Sequence, residues 1–200
     1  MRSLCSLLLF ALTLHASDAW LPLEEGTTRT FRITEDGETR EVALALAAPS
    51  PETLATVVPE AEPSMSWNEE TRPSKGMLAL REGEEILVVM ASTPNGVRLS
   101  WNYYGQILPL CEVPLDLTAG VDVEIRTAQP CCGIGIFPGR LRTTSETVSL
   151  PAGAFEAIRI DLVDSREPVS VESLWLVRGI GIVKWVKDGR TIELASTQAE

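Results

Sequence analysis

The chain has 200 residues, with 17 Lys or Arg against 28 Asp or Glu, a formal net charge of −11 and one histidine. Phosphate neutralisation needs clustered cations, so this balance argues against a nucleic-acid partner. Length and a hydrophobic content of 44% suit a single globular domain with a real core.

Residues 1–19 read as a secretion signal. Met1 and Arg2 open it, Leu4 to Leu14 is an almost unbroken apolar run, and Ser17 and Ala19 are the small residues before a cleavage site at Trp20. A bilayer span needs about 20 apolar residues, and no segment reaches that, so no membrane span is expected. Cys5 lies too early in the apolar run to be a lipoprotein acceptor. The expectation is a periplasmic or secreted chain of residues 20–200 forming one β-rich domain. Cleavage would remove Arg2 and Asp18, leaving the net charge unchanged, and would also remove His15. A Ser-His-Asp or Cys-His triad and histidine-ligated zinc are then impossible within one mature chain. No catalytic residue, cofactor or metal site is indicated.

In chain order, strand signals dominate. Thr27 to Ile33 and Glu41 to Ala47 flank Asp36-Gly37 as a hairpin. Ser50 can cap a short helix, with Pro51 and Glu52 in its first turn and Val57-Val58-Pro59 ending it. Pro59 to Gly76 is a long aperiodic connection whose large apolar groups are Met65 and Trp67. They either tack the loop onto the sheet or belong to a cover over an apolar cavity. Met77 to Arg81 and Ile86 to Met90 make a second hairpin around an acidic turn, Glu82-Gly83-Glu84-Glu85, read as a solvated tip. Further strands are expected at Val97 to Tyr104, Val121 to Thr127, Arg142 to Leu150, Ala157 to Val163, Val169 to Val177, Ile182 to Val186 and Thr191 to Ala195. The fold class is therefore all-β and mostly antiparallel: ten to twelve short strands in a curved sheet, half-barrel or sandwich, with at most one or two short helices. A faint internal echo links Pro22-Leu23 with Gly26 to Pro114-Leu115 with Gly120, each leading into a strand.

Two stretches of the last third are more specific. One runs from Glu146 to Ile160 around Pro151-Ala152-Gly153-Ala154-Phe155, and the other is Trp175-Leu176-Val177-Arg178-Gly179-Ile180-Gly181-Ile182-Val183-Lys184-Trp185. With the opening Trp20-Leu21-Pro22-Leu23-Glu24-Glu25-Gly26, they resemble the TapB-like group of exported bacterial proteins. Leu176 departs from that group, where an aromatic residue is frequent. The resemblance implies an all-β envelope domain and no established reaction. The residues themselves read as structural. Pro151 and Gly153 make a tight turn, Phe155 enters the core, and Gly179 and Gly181 allow a bend or bulge. Trp175 and Trp185 are expected to cover one sheet face.

Chemistry could enter through cysteine. Cys111, Cys131 and Cys132 remain in the mature chain, and export permits disulfides. Adjacent residues in extended backbone point to opposite faces, so Cys111 would pair with only one of Cys131 and Cys132. Such a loop of about 20 residues would contribute roughly 3 kcal/mol if unstrained. A Cys131–Cys132 ring and a three-thiolate site for a soft ion are alternatives. Asp161 and Asp164 are expected at a strand end facing water or an arginine. Trp101 and Tyr103, in the densest aromatic run, are either packing residues or a ligand platform. The functional expectation is a non-catalytic envelope protein that binds a hydrophobic small molecule or an envelope protein. A filled adhesion or assembly module, or a hydrolase using carboxylates alone, are the alternatives. An apolar cavity of about 300 Å3 or more would favour the ligand reading.

Overall fold

The computed structural model describes residues 19–50, 77–103, 106–130, 134–164, 170–187 and 189–197. Residues 1–18 of the expected signal (residues 1–19), the helix expected from Pro51, and Met65, Trp67, Cys131 and Cys132 lie outside the described residues. The fold is all-β and antiparallel, as the alternation predicts. Its strands are β1 (Thr28–Glu35), β2 (Glu38–Ala47), β3 (Met77–Glu82), β4 (Glu85–Ser92), β5 (Gly96–Tyr103), β6 (Gln106–Pro114), β7 (Asp122–Pro130), β8 (Ile134–Leu150), β9 (Gly153–Asp164), β10 (Ser170–Val177), β11 (Gly181–Lys187) and β12 (Arg190–Leu194). No helix occurs among the described residues.

All twelve strands join one sheet in the order β6-β5-β4-β3-β2-β1-β12-β11-β10-β9-β8-β7. Two meanders, β1–β6 and β7–β12, meet where β1 pairs with β12, Phe31 opposite Leu194 and Ile33 opposite Ile192. The sheet curls until its two edge strands, β6 and β7, come into contact, giving a nearly closed barrel with one unpaired seam. Strand twist drives that curl, and closure removes most of the exposed edge.

Period-2 alternation assigns the faces. The inward rows run through Phe31 and Ile33, Leu44 and Leu46, Leu78 and Leu80, Val88 and Met90, and Leu99; beyond β1 they continue through Ile192, Trp185, Leu174 and Ile160. Ile33, Leu99, Ile160, Leu174 and Leu194 are almost wholly buried. Each such side chain contributes about 1.5–3 kcal/mol through removal from water. On β3 and β4 the other face is buried too, Met77 opposite Ala91 and Ala79 opposite Val89. Burial on both faces accounts for their continuous apolar sequence.

The outer wall carries a row of cross-strand polar contacts. Trp175 lies between two cations, with Arg159 5.1 Å and Lys184 5.3 Å from its ring centroid. Lys184 reaches Glu193 at 2.7 Å, and Arg32 reaches Glu41 at 3.2 Å. Leu174 is opposite Trp185 and Trp175 is opposite Lys184, so Trp175 faces outward and Trp185 inward. This corrects the expectation that the two indoles cover one face: across the glycine turn and the bulge at Trp175/Leu176 the register sets Trp185 opposite Leu174, the neighbour of Trp175, so the two lie on opposite sides. Inside, the Trp185 indole N–H donates to the buried Glu172 carboxylate, and outside the Trp175 indole N–H donates to Glu146.

Strand β6 is absent from the sequence expectation, and β8 begins earlier than Arg142. Pro109 and Pro114 disguise β6, because proline cannot donate to a ladder and is tolerated mainly at sheet edges. An edge is where β6 lies.

Candidate functional site

The Pro-Leu…Gly echo has a structural counterpart. Gly26 N–H donates to the Leu46 carbonyl and Leu46 N–H to the Thr27 carbonyl, both at 2.8 Å; Gly120 N–H donates to the Thr143 carbonyl and Thr143 N–H to the Val121 carbonyl, both at 2.9 Å. Both glycines have positive φ, +87° and +84°. The Thr143 hydroxyl adds a bond to the Thr118 carbonyl (2.6 Å) and accepts one from Val121 N–H (2.9 Å). The lead-ins to β1 and β7 are therefore built alike. Their neighbours differ among the described residues: β1 pairs with β2 and β12, whereas β7 pairs with β8 alone.

The seam that results has a distinct surface. Val123 is opposite Leu141, whose side chain is in the core, so Val123 lies on the inward row, yet it is 46% exposed. Leu115, on the loop 115–121 that joins β6 to β7, is 63% exposed. These are the exposed large hydrophobic residues among those described. Asp122 and Glu124 alternate with Val123 on the outer row and are exposed. Arg140 donates to Asp122 at 2.9 Å, with Arg142 at 3.4 Å, and the Arg140 hydrogen bond holds the Asp122 carboxyl below its ordinary value. On the β6 side Arg98 reaches Glu112 at 3.2 Å. The two edges are not equivalent. β6 lacks N–H donors at Pro109 and Pro114, and its register with β5 slips so that Leu110 has no opposite residue. β7 pairs with β8 without a slip and has no proline before Pro130.

Cys111, on β6 opposite Leu99, carries a free thiol, so the bridge from Cys111 expected on spacing is not formed here. Burial pushes its pKa up, and the negative charges of Glu172 and Glu112 add to the shift. A thiol held protonated is a poor nucleophile and metal ligand.

Among the described residues the inward rows pack against one another, and the apolar space between them is small. The apolar recess beneath Leu21 and Pro22, between Phe31, Leu46 and Ile182, has a volume of about 40 Å3. Arg29 lies along it and donates to the Ile180 carbonyl; burial lowers its pKa, and Glu24 opposes that shift. A wider hollow of about 390 Å3 opens at the β1–β2 turn, but Glu35, Asp36, Glu38, Thr39 and Arg40 make its lining polar. At the same end Arg40 pairs with Glu82, and Arg190 lies 3.4 Å from Glu85 and 3.9 Å from Glu82. The acidic β3–β4 tip is thus tied by arginines rather than merely solvated.

The sequence-derived motif residues are structural in placement. Pro151 is exposed in the β8–β9 turn, and Gly153 follows it with φ +132°. Phe155 is half-buried against the core, and Ala152 N–H donates to the Leu194 carbonyl at 3.2 Å, fastening this turn to β12. Gly179 and Gly181 bracket the β10–β11 turn with φ of +78° and +96°. A side chain at Gly181 would also meet Pro22 at 3.4 Å. Asp161 accepts from Arg159 (2.7 Å) and Ser173 (2.5 Å), while Asp164 ends β9. Trp101 and Tyr103 are placed by backbone register opposite Leu108 and Gln106. Among the described residues no group of three His, Cys, Asp or Glu converges as metal ligands, and no helix is long and apolar enough to cross a membrane.

Sequence reasoning named Cys111 but missed Val123, Leu115 and the unpaired state of β7. The prolines of β6 were the available signal for an edge.

No protein-family model and no curated protein matches the sequence. Among solved structures, the chain is similar to a candidate lipoprotein from Parabacteroides distasonis, at 10% identity and a TM-score of 0.40, covering 90% of this chain and 98% of that one. It is also similar to a candidate exported protein with YmcC-like fold from Bacteroides fragilis, at 14% identity and a TM-score of 0.38, with the same coverage.

Proposed function

We propose that the chain is a non-catalytic, TapB-like exported protein of the bacterial envelope that acts by binding a protein partner at its surface. The observation that carries this reading is the small apolar recess among the described residues. An apolar recess of about 40 Å3 is far below the roughly 300 Å3 at the lower end of small-molecule sites, so surface contact is favoured over enclosure of a hydrophobic ligand. The absence of histidine after Ala19 and the suppressed Cys111 thiol support a non-catalytic role. Cleavage before Trp20 would remove the Ala19 carbonyl, which accepts from Gly179 N–H at 2.9 Å, leaving that exposed turn to water.

The test is native mass spectrometry of the protein recovered from its own envelope after mild cross-linking. The expected species has the mass of residues 20–200, carries no small molecule, and includes a cross-linked polypeptide. A stoichiometric lipid or other apolar ligand would overturn the reading.

A further inference from the structure

The turn 93–95, which joins β4 to β5, carries a sequence with chemistry of its own. The chain has three asparagines, Asn68, Asn95 and Asn102, and Asn95 alone precedes a glycine. Glycine has no side chain to hinder attack by its own amide nitrogen on the residue before it. We propose that Asn95–Gly96 is a modification site. Asn95 loses ammonia to become aspartate or isoaspartate, the Thr93 hydroxyl holds this back in the folded protein, and isoaspartate loosens the loop 115–121. The site stands apart from whatever binds at the surface.

The reaction balances with water as its one co-reactant. The Gly96 amide gives up its proton, its nitrogen attacks Asn95 Cγ, and the bond from Cγ to the side-chain nitrogen breaks to release ammonia. The product is a five-membered imide, which water opens at either carbonyl. Opening at Cγ gives aspartate. Opening at the main-chain carbon gives isoaspartate, whose backbone runs through Cβ and Cγ and whose former main-chain carbonyl belongs to a free carboxylate.

Three observations carry the proposal. First, packing requires the glycine. Gly96 is buried, and a Cβ there would lie 2.0 Å from the Val113 carbonyl oxygen on the neighbouring strand β6. The approach of β5 to β6 therefore fixes the residue that makes Asn95 reactive, while Asn95 itself is exposed to the water that opens the imide. Second, the nucleophile is tied. Gly96 N–H donates to Thr93 Oγ1 at 3.0 Å, and Asn95 N–H donates to the same oxygen at 3.3 Å. Thr93 N–H donates to the Gly96 carbonyl at 2.9 Å. A hydrogen bond to the neutral N–H opposes its deprotonation, and it must break before the nitrogen can turn toward Cγ. Third, Leu115 N–H donates to the Asn95 carbonyl at 3.0 Å, fastening the loop 115–121 to this turn. Isoaspartate takes that acceptor out of the main chain and lengthens the turn by one carbon.

The experiment holds residues 20–200 at pH 8, folded in one arm and unfolded in guanidinium in the other, and follows Asn95 by peptide mapping. Conversion in the folded arm should be at least about tenfold slower, because the turn must open first. Thr93→Val, which removes the hydroxyl and keeps the shape, should raise the folded rate about fivefold. Thr93→Ser, which keeps the hydroxyl, should leave it near the original rate. Protein converted while unfolded and then refolded should show faster hydrogen–deuterium exchange at Leu115, with β1 and β2 unchanged. Equal rates in the two arms would overturn the proposal, and so would a Thr93→Val rate no higher than the original. If Thr93→Val lowers the unfolding midpoint, the comparison is made in the guanidinium concentrations that give equal stability, and an equal rate there overturns it. Unchanged exchange at Leu115 in the isoaspartate form would overturn the link to the loop. Failure of the converted protein to refold would do the same, since the change would then reach beyond the loop.

Discussion

The strands β1 and β7 start from the same local construction and end in opposite situations. Each follows a positive-φ glycine, and each glycine and its successor exchange backbone hydrogen bonds with one residue of the next strand, Leu46 for β1 and Thr143 for β7. β1 is then sealed on its second side by β12, with Phe31 and Ile33 about 3% and 1% exposed. β7 has no second neighbour among the described residues, and its inward Val123 stays 46% exposed. Local geometry therefore does not decide whether a strand is an edge. The comparison separates the energy of a strand's own lead-in from the energy of its closure, and substitutions can test that separation.

The largest effect is expected on the sealed wall. Leu174→Ala, at a position with no exposure, should destabilise by about 2–5 kcal/mol in urea unfolding, because a cavity remains beside Trp185 and Ile160. The Cys111 thiol tests how dry the inner side of the seam is. With its pKa pushed up by burial, native protein should react with a thiol reagent at pH 8 at least about tenfold more slowly than a free cysteine, and should recover full reactivity in denaturant. Rapid native labelling at Cys111 would show that water enters there.

The glycine pair should behave alike. Gly26→Ala and Gly120→Ala each impose a side chain on positive φ with nothing nearby to clash, so each should cost about 1 kcal/mol. Unequal costs would break the equivalence of the two lead-ins. Val123→Ala should cost less than about 1 kcal/mol, since half of its surface already meets water. A core-sized cost would show that the seam is shut. The smallest effect is electrostatic. The Arg40 hydrogen bond holds the Glu82 carboxyl below its ordinary pKa, so the native state favours the ionised carboxylate. That contribution is present above the unfolded carboxylate's pKa and is lost as pH falls through the lowered native value. Arg40→Met should erase it, seen as a slightly shallower loss of stability in acid, small because the pair is largely solvated.

Much of the fold was legible from alternation. Strands around Phe31, Val97 and Trp185 follow from apolar residues at every second position, and the turns at Asp36-Gly37 and Pro151–Gly153 from residues suited to unusual φ. β6 was not legible, because its prolines cancel a strand signal everywhere except at an edge, and edges are known only once the sheet is assembled. The opposite facing of Trp175 and Trp185 was hidden for a similar reason. A glycine turn and a bulge lie between them, and face depends on register across that bend. Of the residues singled out for chemistry, Cys111 proved to be a partly buried thiol on the inward row of β6, while Val123 looked like any other strand valine.

The sequence by itself determined an acidic chain, an export signal expectation, an all-β antiparallel class and the positions of its tight turns. These depend on side-chain type and on neighbours within a few residues. Only the tertiary structure decided that two meanders join at β1 and β12 and that twist brings β6 and β7 together with no pairing between them among the described residues. Closure depends on the summed twist of twelve strands and on the volumes of side chains far apart in the chain, quantities that no local pattern encodes.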